Sequence, residues 1–187
     1  EKLGKKLFIT GKGRCNLTNA CDVEDLFPAV KTNAKFLYSS FYGFTNQDVI
    51  DFFEELDMRT KIERGERVFP LSDHSSDVIR TLEEEMKRLG VKICLNTSVK
   101  KIEAKDGHFT GVVLSDGKKV SGDACIVATG GISYPSTGST GDGYRFAKEL
   151  GLKVTDCLPS LVPMETQEDW VPELQGLSLR NINAVIR

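Results

Sequence analysis

The run Asp123-Ala124-Cys125-Ile126-Val127-Ala128-Thr129-Gly130-Gly131, followed by Gly138-Ser139-Thr140-Gly141-Asp142-Gly143-Tyr144, holds the residues whose types and spacing most plainly serve chemistry. An apolar run that ends in paired glycines reads as a buried strand delivering bare backbone to something that must come very close, and a flat, bulky cofactor is the natural candidate. The second stretch runs into Tyr144, Arg145, Phe146, Ala147 and Leu150 and reads as a glycine-rich loop opening a helix, whose free N–H groups suit an anionic or electron-rich ligand. The chemistry indicated is that of a nucleotide cofactor. Each half also has a plainer reading. Ala-Thr-Gly-Gly can end a strand in a tight turn, and Ser139-x-x-Asp142 has the spacing of a capping box, with an acid in the first turn favoured by the helix dipole. Ser133 and Tyr134 either meet a flat ligand or are turn residues.

A third glycine-punctuated stretch, Gly4-Lys5-Lys6-Leu7-Phe8-Ile9-Thr10-Gly11-Lys12-Gly13-Arg14-Cys15-Asn16-Leu17-Thr18-Asn19, opens the chain. Together with Glu63-Arg64-Gly65-Glu66-Arg67-Val68-Phe69-Pro70, Ala128-Thr129-Gly130-Gly131-Ile132-Ser133-Tyr134-Pro135, Thr137-Gly138-Ser139-Thr140-Gly141-Asp142-Gly143-Tyr144, Pro159-Ser160-Leu161-Val162-Pro163 and Leu174-Gln175-Gly176-Leu177-Ser178-Leu179, it resembles the BaiN/YhiN-like family of FAD-dependent oxidoreductases. The resemblance implies that Lys6, Gly11, Gly13, Arg14, Cys15, Asn16 and Thr18 line the pyrophosphate, ribityl and flavin path. It implies that Val99 offers its backbone to adenine, that Ala128, Thr129, Gly130 and Gly131 approach the cofactor directly, and that Gly141, Asp142 and Gly143 sit near the flavin. Physically, glycines let backbone N–H groups converge on a phosphate, and Arg14 adds a guanidinium fork. The rival reading has Arg14 and Asn16 satisfying buried carbonyls, and Cys15 serving as a small buried side chain rather than a thiol activated by Arg14. Residues 6–19 are expected to form a loop whose N–H groups converge beside Gly130 and Gly131.

The fold class implied is α/β: the central part of a glutathione-reductase-type FAD-binding Rossmann-like domain with an antiparallel β-meander. The N-terminal βαβ dinucleotide unit, with its Gly-x-Gly-x-x-Gly turn and ribose-binding acid, is missing from the sequence, which therefore reads as an internal fragment. The expected divisions are a cofactor loop at 1–21, a helical segment and hairpin at 22–72, helix, meander and glycine loops at 73–160, and the start of a truncated region at 161–187. Residues 181–187 alternate like half of a strand pair. The activity implied is hydride transfer to or from a small organic substrate through FAD, with NAD(P)H as electron donor; the alternative is a non-catalytic fragment that binds no cofactor alone. The fragment is expected to hold no stoichiometric FAD and to dimerise through an exposed sheet edge. No catalytic residue is identified: His74 reads as surface, and His108 sits in a turn without triad partners.

Positioning elements follow from periodicity. Val23, Leu26, Phe27, Val30, Phe36, Leu37 and Phe41 read as short helices packed on one side. Thr45, with Asp48 three residues on, caps a helix carrying Val49, Phe52, Phe53 and Leu56. Residues 60–64 and 66–69 alternate around Gly65 as a hairpin. Ser72 or Asp73 caps a long helix with Val78, Leu82, Met86 and Leu89 on one face, ending at Gly90. Strands are expected at 91–95 and 124–128. A meander at 99–104, 109–114 and 119–121 turns at Asp106-Gly107 and Asp116-Gly117, and residues 165–175 form a surface loop.

A net charge of −2 over 187 residues gives no reason to invoke nucleic acid or an anionic membrane, although Lys2, Lys5, Lys6, Lys12 and Arg14 form a local basic cluster suited to phosphate. The five cysteines show no Cys-x-x-Cys spacing, so neither a zinc site nor a disulfide framework is indicated, and a reducing cytoplasm is the expected compartment. No apolar run approaches the ~20 residues a membrane helix needs.

Overall fold

The computed structural model describes residues 2–159, 165–179, 182, 183 and 185. The chain divides into two compact units, Glu1–Lys153 and Val154–Arg187.

In the first unit the core forms where amphipathic helices meet a small sheet. Thr45 caps helix α4 (Asn46–Glu55) in a full capping box: its side chain accepts from the Asp48 N–H, and the Asp48 carboxylate accepts from the Thr45 N–H at 2.6 Å. Helix α5 (Ser75–Arg88) ends as its sequence requires, with Gly90 in the left-handed region and the Val91 N–H returning to the Met86 carbonyl. Between the helices, β2 (Thr60–Glu63) and β3 (Arg67–Pro70) form the expected hairpin, and β1 (Thr18–Asn19) joins the free side of β3 in the antiparallel order β1-β3-β2. Cys15, Phe53, Met58 and Val78 are the buried centre, with Leu7, Leu17, Val49, Phe52 and Leu82 packed around them. Beside them α2 (Val23–Leu26), 3₁₀ turns at Phe27–Ala29 and Ala34–Leu37, and α3 (Tyr38–Gly43) gather Phe27, Tyr38, Phe41 and Tyr42 into one aromatic cluster.

The meander is observed as β4 (Val99–Lys105), β5 (His108–Leu114) and β6 (Lys119–Ser121), paired antiparallel in that order. Asp106 and Gly107 both take positive φ, the geometry a two-residue hairpin turn demands. Helix α6 (Asp142–Glu149) follows the second glycine loop.

Several readings are corrected. Residues 91–95 and 124–128 form no strand, and Ile126 is 93% exposed. An apolar run becomes a buried strand only when other strands pair with it, and neither run is paired among the described residues. The opening stretch is not all loop: Lys5–Ile9 is a short helix, α1, and Thr10–Gly13 a 3₁₀ turn. Neither Ser72 nor Asp73 caps α5; the N-cap is His74, without a side-chain bond, because the Asp73 carboxylate is engaged elsewhere. Ser139 does not cap α6, whose N-cap is Gly141 in the left-handed region, so Asp142 is its first residue.

In the second unit residues 165–175 are exposed, with a 3₁₀ turn at Val171–Leu174. The alternation expected over 181–187, and most of the Pro159-to-Pro163 block, lie outside the described residues.

Candidate functional site

Helix α1 is too short to persist alone, so its place is set by α5. The buried Ser75 hydroxyl donates to the Phe8 carbonyl at 3.0 Å, and Gly4 lies directly against Ile79. Thus anchored, α1 carries Lys6 to the segment after the paired glycines. There the Lys6 ammonium donates to the Ser133 carbonyl and lies 5.3 Å from the Tyr134 ring centroid, a cation–π contact. Tyr134 has φ 52°, unusual for a bulky residue, and is held by the Thr137 N–H and hydroxyl, which both donate to its carbonyl.

Lys6, Ala128, Thr129, Gly130 and Gly131 line one pocket of about 320 Å³, together with Ser133, Thr137, Gly138 and Ser139. Its lining has one cation, four hydroxyls, glycine backbone and no carboxylate, a composition suited to an anionic group. The second glycine loop packs onto this floor. The Gly141 N–H donates to the Gly131 carbonyl at 3.2 Å, and a Cβ at position 143 would stand 2.7 Å from Thr129 Oγ1, so any larger residue there would force the Thr129 side chain to move. Asp142 accepts from Thr140 and from Arg145, contacts that hold its carboxyl below the usual carboxylate range, the Arg145 bond foremost. Arg145 also donates to the Lys100 carbonyl of β4, joining α6 to the meander.

The other residues singled out in the sequence form a second cluster. Gly11, Lys12, Gly13 and Cys15 all have positive φ, and the N–H groups of Arg14 and Cys15 return to the Gly11 and Thr10 carbonyls. The expected convergence of backbone N–H groups from 6–19 beside Gly130 and Gly131 is therefore not what is found: Lys6, through its side chain, makes the link. Arg14 donates to Asp73 Oδ1 at 2.7 Å and to Glu63 Oε1 at 2.5 Å, and its guanidinium lies 4.1 Å over the Phe69 ring. Lys61 bonds the other Asp73 oxygen and sits 3.4 Å from Glu63. The bonds to Arg14 and Lys61 hold the Glu63 and Asp73 carboxyls below their usual range, and those carboxylates raise both cations. Asn16 donates to the Thr18 and Val68 carbonyls, as the rival reading of that residue has it; Cys15 is 2% exposed in the core, and Thr18 pairs with Val68 in the sheet. Val99 opens β4 opposite Leu114.

Sequence reasoning missed Lys61, Glu63 and Asp73. Glu63 lies within a block that carries the family resemblance, but its pairing with Arg14 spans 49 positions and leaves no local signal. A groove of about 480 Å³ between 56–59 and α5 shares no residue with the glycine-lined pocket and mixes both charge signs. Among the described residues no three His, Cys, Asp or Glu side chains group to hold a metal, and no helix is long and apolar enough to cross a membrane.

The family description HI0933-like protein Rossmann domain matches residues 1–185, nearly the whole chain. The chain belongs to the HI0933-like Rossmann domain family. Within the family it is similar to the 3-dehydro-bile acid delta(4,6)-reductase of Clostridium scindens, 33% identical over 177 residues that make up 95% of this chain and 42% of that protein. It is also 29% identical over 187 residues to the ribosomal RNA dihydrouridine synthase of Escherichia coli, covering 100% of this chain and 45% of the relative. The same figures against the Haemophilus influenzae enzyme of that name are 29% over 185 residues, 96% and 45%. The chain thus spans less than half the length of these curated relatives. As an HI0933-like Rossmann domain it combines helices with antiparallel sheets, and its relatives are redox enzymes.

Proposed function

We propose that this chain is the cofactor-holding part of an FAD-dependent reductase that delivers hydride to a carbon–carbon double bond conjugated with a carbonyl, with NAD(P)H as electron donor. The observation that carries this is the pocket joining Lys6 to Ala128–Gly131 and the 137–139 turn in a chain of the HI0933-like family. The two activities named for the relatives have a common core: a 3-oxo steroid with double bonds at positions 4 and 6, and the uracil ring of uridine, both present a double bond in conjugation with a carbonyl.

The residues present fit one anionic portion of such a cofactor. Lys6 supplies the charge, the hydroxyls of Thr129, Ser133, Thr137 and Ser139 supply donors, and the glycines leave the floor free of side chains. When bound, the flavin supplies the hydride chemistry. The chain's own residues bind and orient: α1 holds Lys6 at the pocket, the close approach of Gly143 to Thr129 fixes the floor, and Arg145 fixes α6 against the meander. Gly11, Gly13, Arg14, Cys15, Asn16, Thr18, Val99, Gly141, Asp142 and Gly143 belong to the same reading as the remaining cofactor contacts, direct or through the loops they shape. The glutathione-reductase-type arrangement, a small-molecule substrate and a cytoplasmic setting complete it.

The test is a visible spectrum of the purified full-length protein, with the released cofactor identified by chromatography. Oxidised flavin absorbs near ~450 nm, and anaerobic addition of NADH or NADPH should bleach that band. A small α,β-unsaturated ketone should then restore it. A colourless protein that takes up no FAD on titration refutes the proposal.

A further inference from the structure

The 10–15 loop holds left-handed residues at positions 11, 12, 13 and 15, two of which, Lys12 and Cys15, carry side chains. Such a conformation is disfavoured for L-residues and persists where the surroundings over-determine it. On one side the surroundings are the core, which buries Cys15. On the other they are the charges that close around Arg14.

We propose that Glu63 and Asp73 are positioning residues: acting through Arg14 they hold the 10–15 loop in its cofactor-accepting shape, and the Arg14 guanidinium is not itself the ligand of the cofactor's phosphates. This rests on the flavin reading above. Both carboxylates lie within 2.7 Å of the guanidinium, one reaching from the hairpin and one from the residue before the α5 cap. The guanidinium carbon lies 4.1 Å from the ring centroid of Phe69, which is 2% exposed. Lys61 bonds the other Asp73 oxygen and lies 3.4 Å from the same Glu63 oxygen that Arg14 holds, so the cluster sets two cations against two anions. The carboxylates hold the Nε and Nη2 donors, so a phosphate approaching the Nη1 side would meet the negative charge of two carboxylates bonded to the same guanidinium. An arginine so held is a bracket. It ties the loop to β2 and to the start of α5, elements 49 and 59 positions away.

The two roles for Arg14 give opposite results in the full-length flavoprotein. Arg14→Ala, Glu63→Gln and Asp73→Asn are compared for the dissociation constant of FAD, for the position and fine structure of the bound-flavin band at saturating FAD, and for thermal unfolding. Glu83→Gln, which opens the exposed pair with Lys87, serves as control. A positioning role predicts that Glu63→Gln and Asp73→Asn each weaken FAD binding about tenfold or more and alter the flavin band. It also predicts that Arg14→Ala combined with Glu63→Gln is no worse than Arg14→Ala alone, since the two act as one unit. Glu63→Asp and Asp73→Glu, which keep the charge, should recover part of the affinity and serve in place of any amide variant that fails to fold. Glu63→Gln and Asp73→Asn proteins that bind FAD as well as or better than the parent, because Arg14 has been released toward the phosphates, overturn the inference while leaving the flavin reading intact. A parent protein that binds no FAD overturns the flavin reading and the inference with it.

Discussion

Gly4→Ala separates backbone strain from packing at the joint that carries Lys6. Gly4 is the N-cap of α1 with φ 69°, ψ 23°. A side chain in that region costs about 1–2 kcal/mol from the Cβ–carbonyl contact alone. The added methyl would also stand 2.7 Å from Ile79 Cγ1, 2.9 Å from Cδ1 and 3.1 Å from Cγ2. Three atoms of one β-branched side chain are involved, so no single rotation relieves the overlap, and overpacking of this kind costs about 1–3 kcal/mol. The expected loss is therefore roughly 2–5 kcal/mol, read by urea denaturation followed by far-ultraviolet circular dichroism. In an Ile79→Ala background the overlap disappears and the same substitution should cost only about 1–2 kcal/mol, leaving a coupling of about 1–3 kcal/mol. An equal loss in both backgrounds would show that α1 does not dock on α5 as described.

Three further outcomes follow from local geometry. Ser75→Ala removes the hydroxyl bonded to the Phe8 carbonyl and should cost about 1–2 kcal/mol in the same assay; an unchanged midpoint would count against that bond. Thr45→Ala strips the capping box of α4 and should cost about 1 kcal/mol, whereas Thr45→Ser should cost much less. The carboxyls of Glu63, Asp73, Asp48 and Glu54 are all held low by hydrogen bonds, from Arg14, Lys61, Thr45 and Thr60 respectively. Their folded values lie below their unfolded ones, so their stabilisation is complete above the unfolded value, ~4, and is lost as pH falls through the lowered folded values. Stability measured against pH should drop below ~4, and the drop should shrink in a Glu63→Gln, Asp73→Asn double variant; an identical profile in parent and variant would refute the assignment.

What the sequence made legible was local. Thr45 and Asp48 sit three apart and need only each other; Asp106-Gly107 dictates its turn whatever surrounds it; Val78, Leu82 and Met86 mark one face of α5. What escaped was decided at a distance. Helix α1 has a poor helical signal, with Gly4 before it and Gly11 after, and is held by Ile79 and Ser75 on another helix. Asp73 looked like a cap because caps are made by aspartates before apolar runs, but two cations from elsewhere in the chain claim its oxygens. Residues 91–95 and 124–128 have the composition of interior strands, and composition cannot supply the neighbours that would make them so. At the candidate site, the glycines and Lys6 were legible as types, while the division of the site residues into a pocket and a bracketed loop was not.

The closed charge balance around Arg14 bears on how fast an anion arrives. Two positive and two negative groups packed within a few ångströms cancel at long range, and what field remains dies within a Debye length of roughly 8–10 Å. Arg14 is thus invisible to a ligand still diffusing. Attraction from afar is left to Lys2, Lys5, Lys6 and Lys12, so encounter rates should follow ionic strength through those lysines rather than through the neutral cluster.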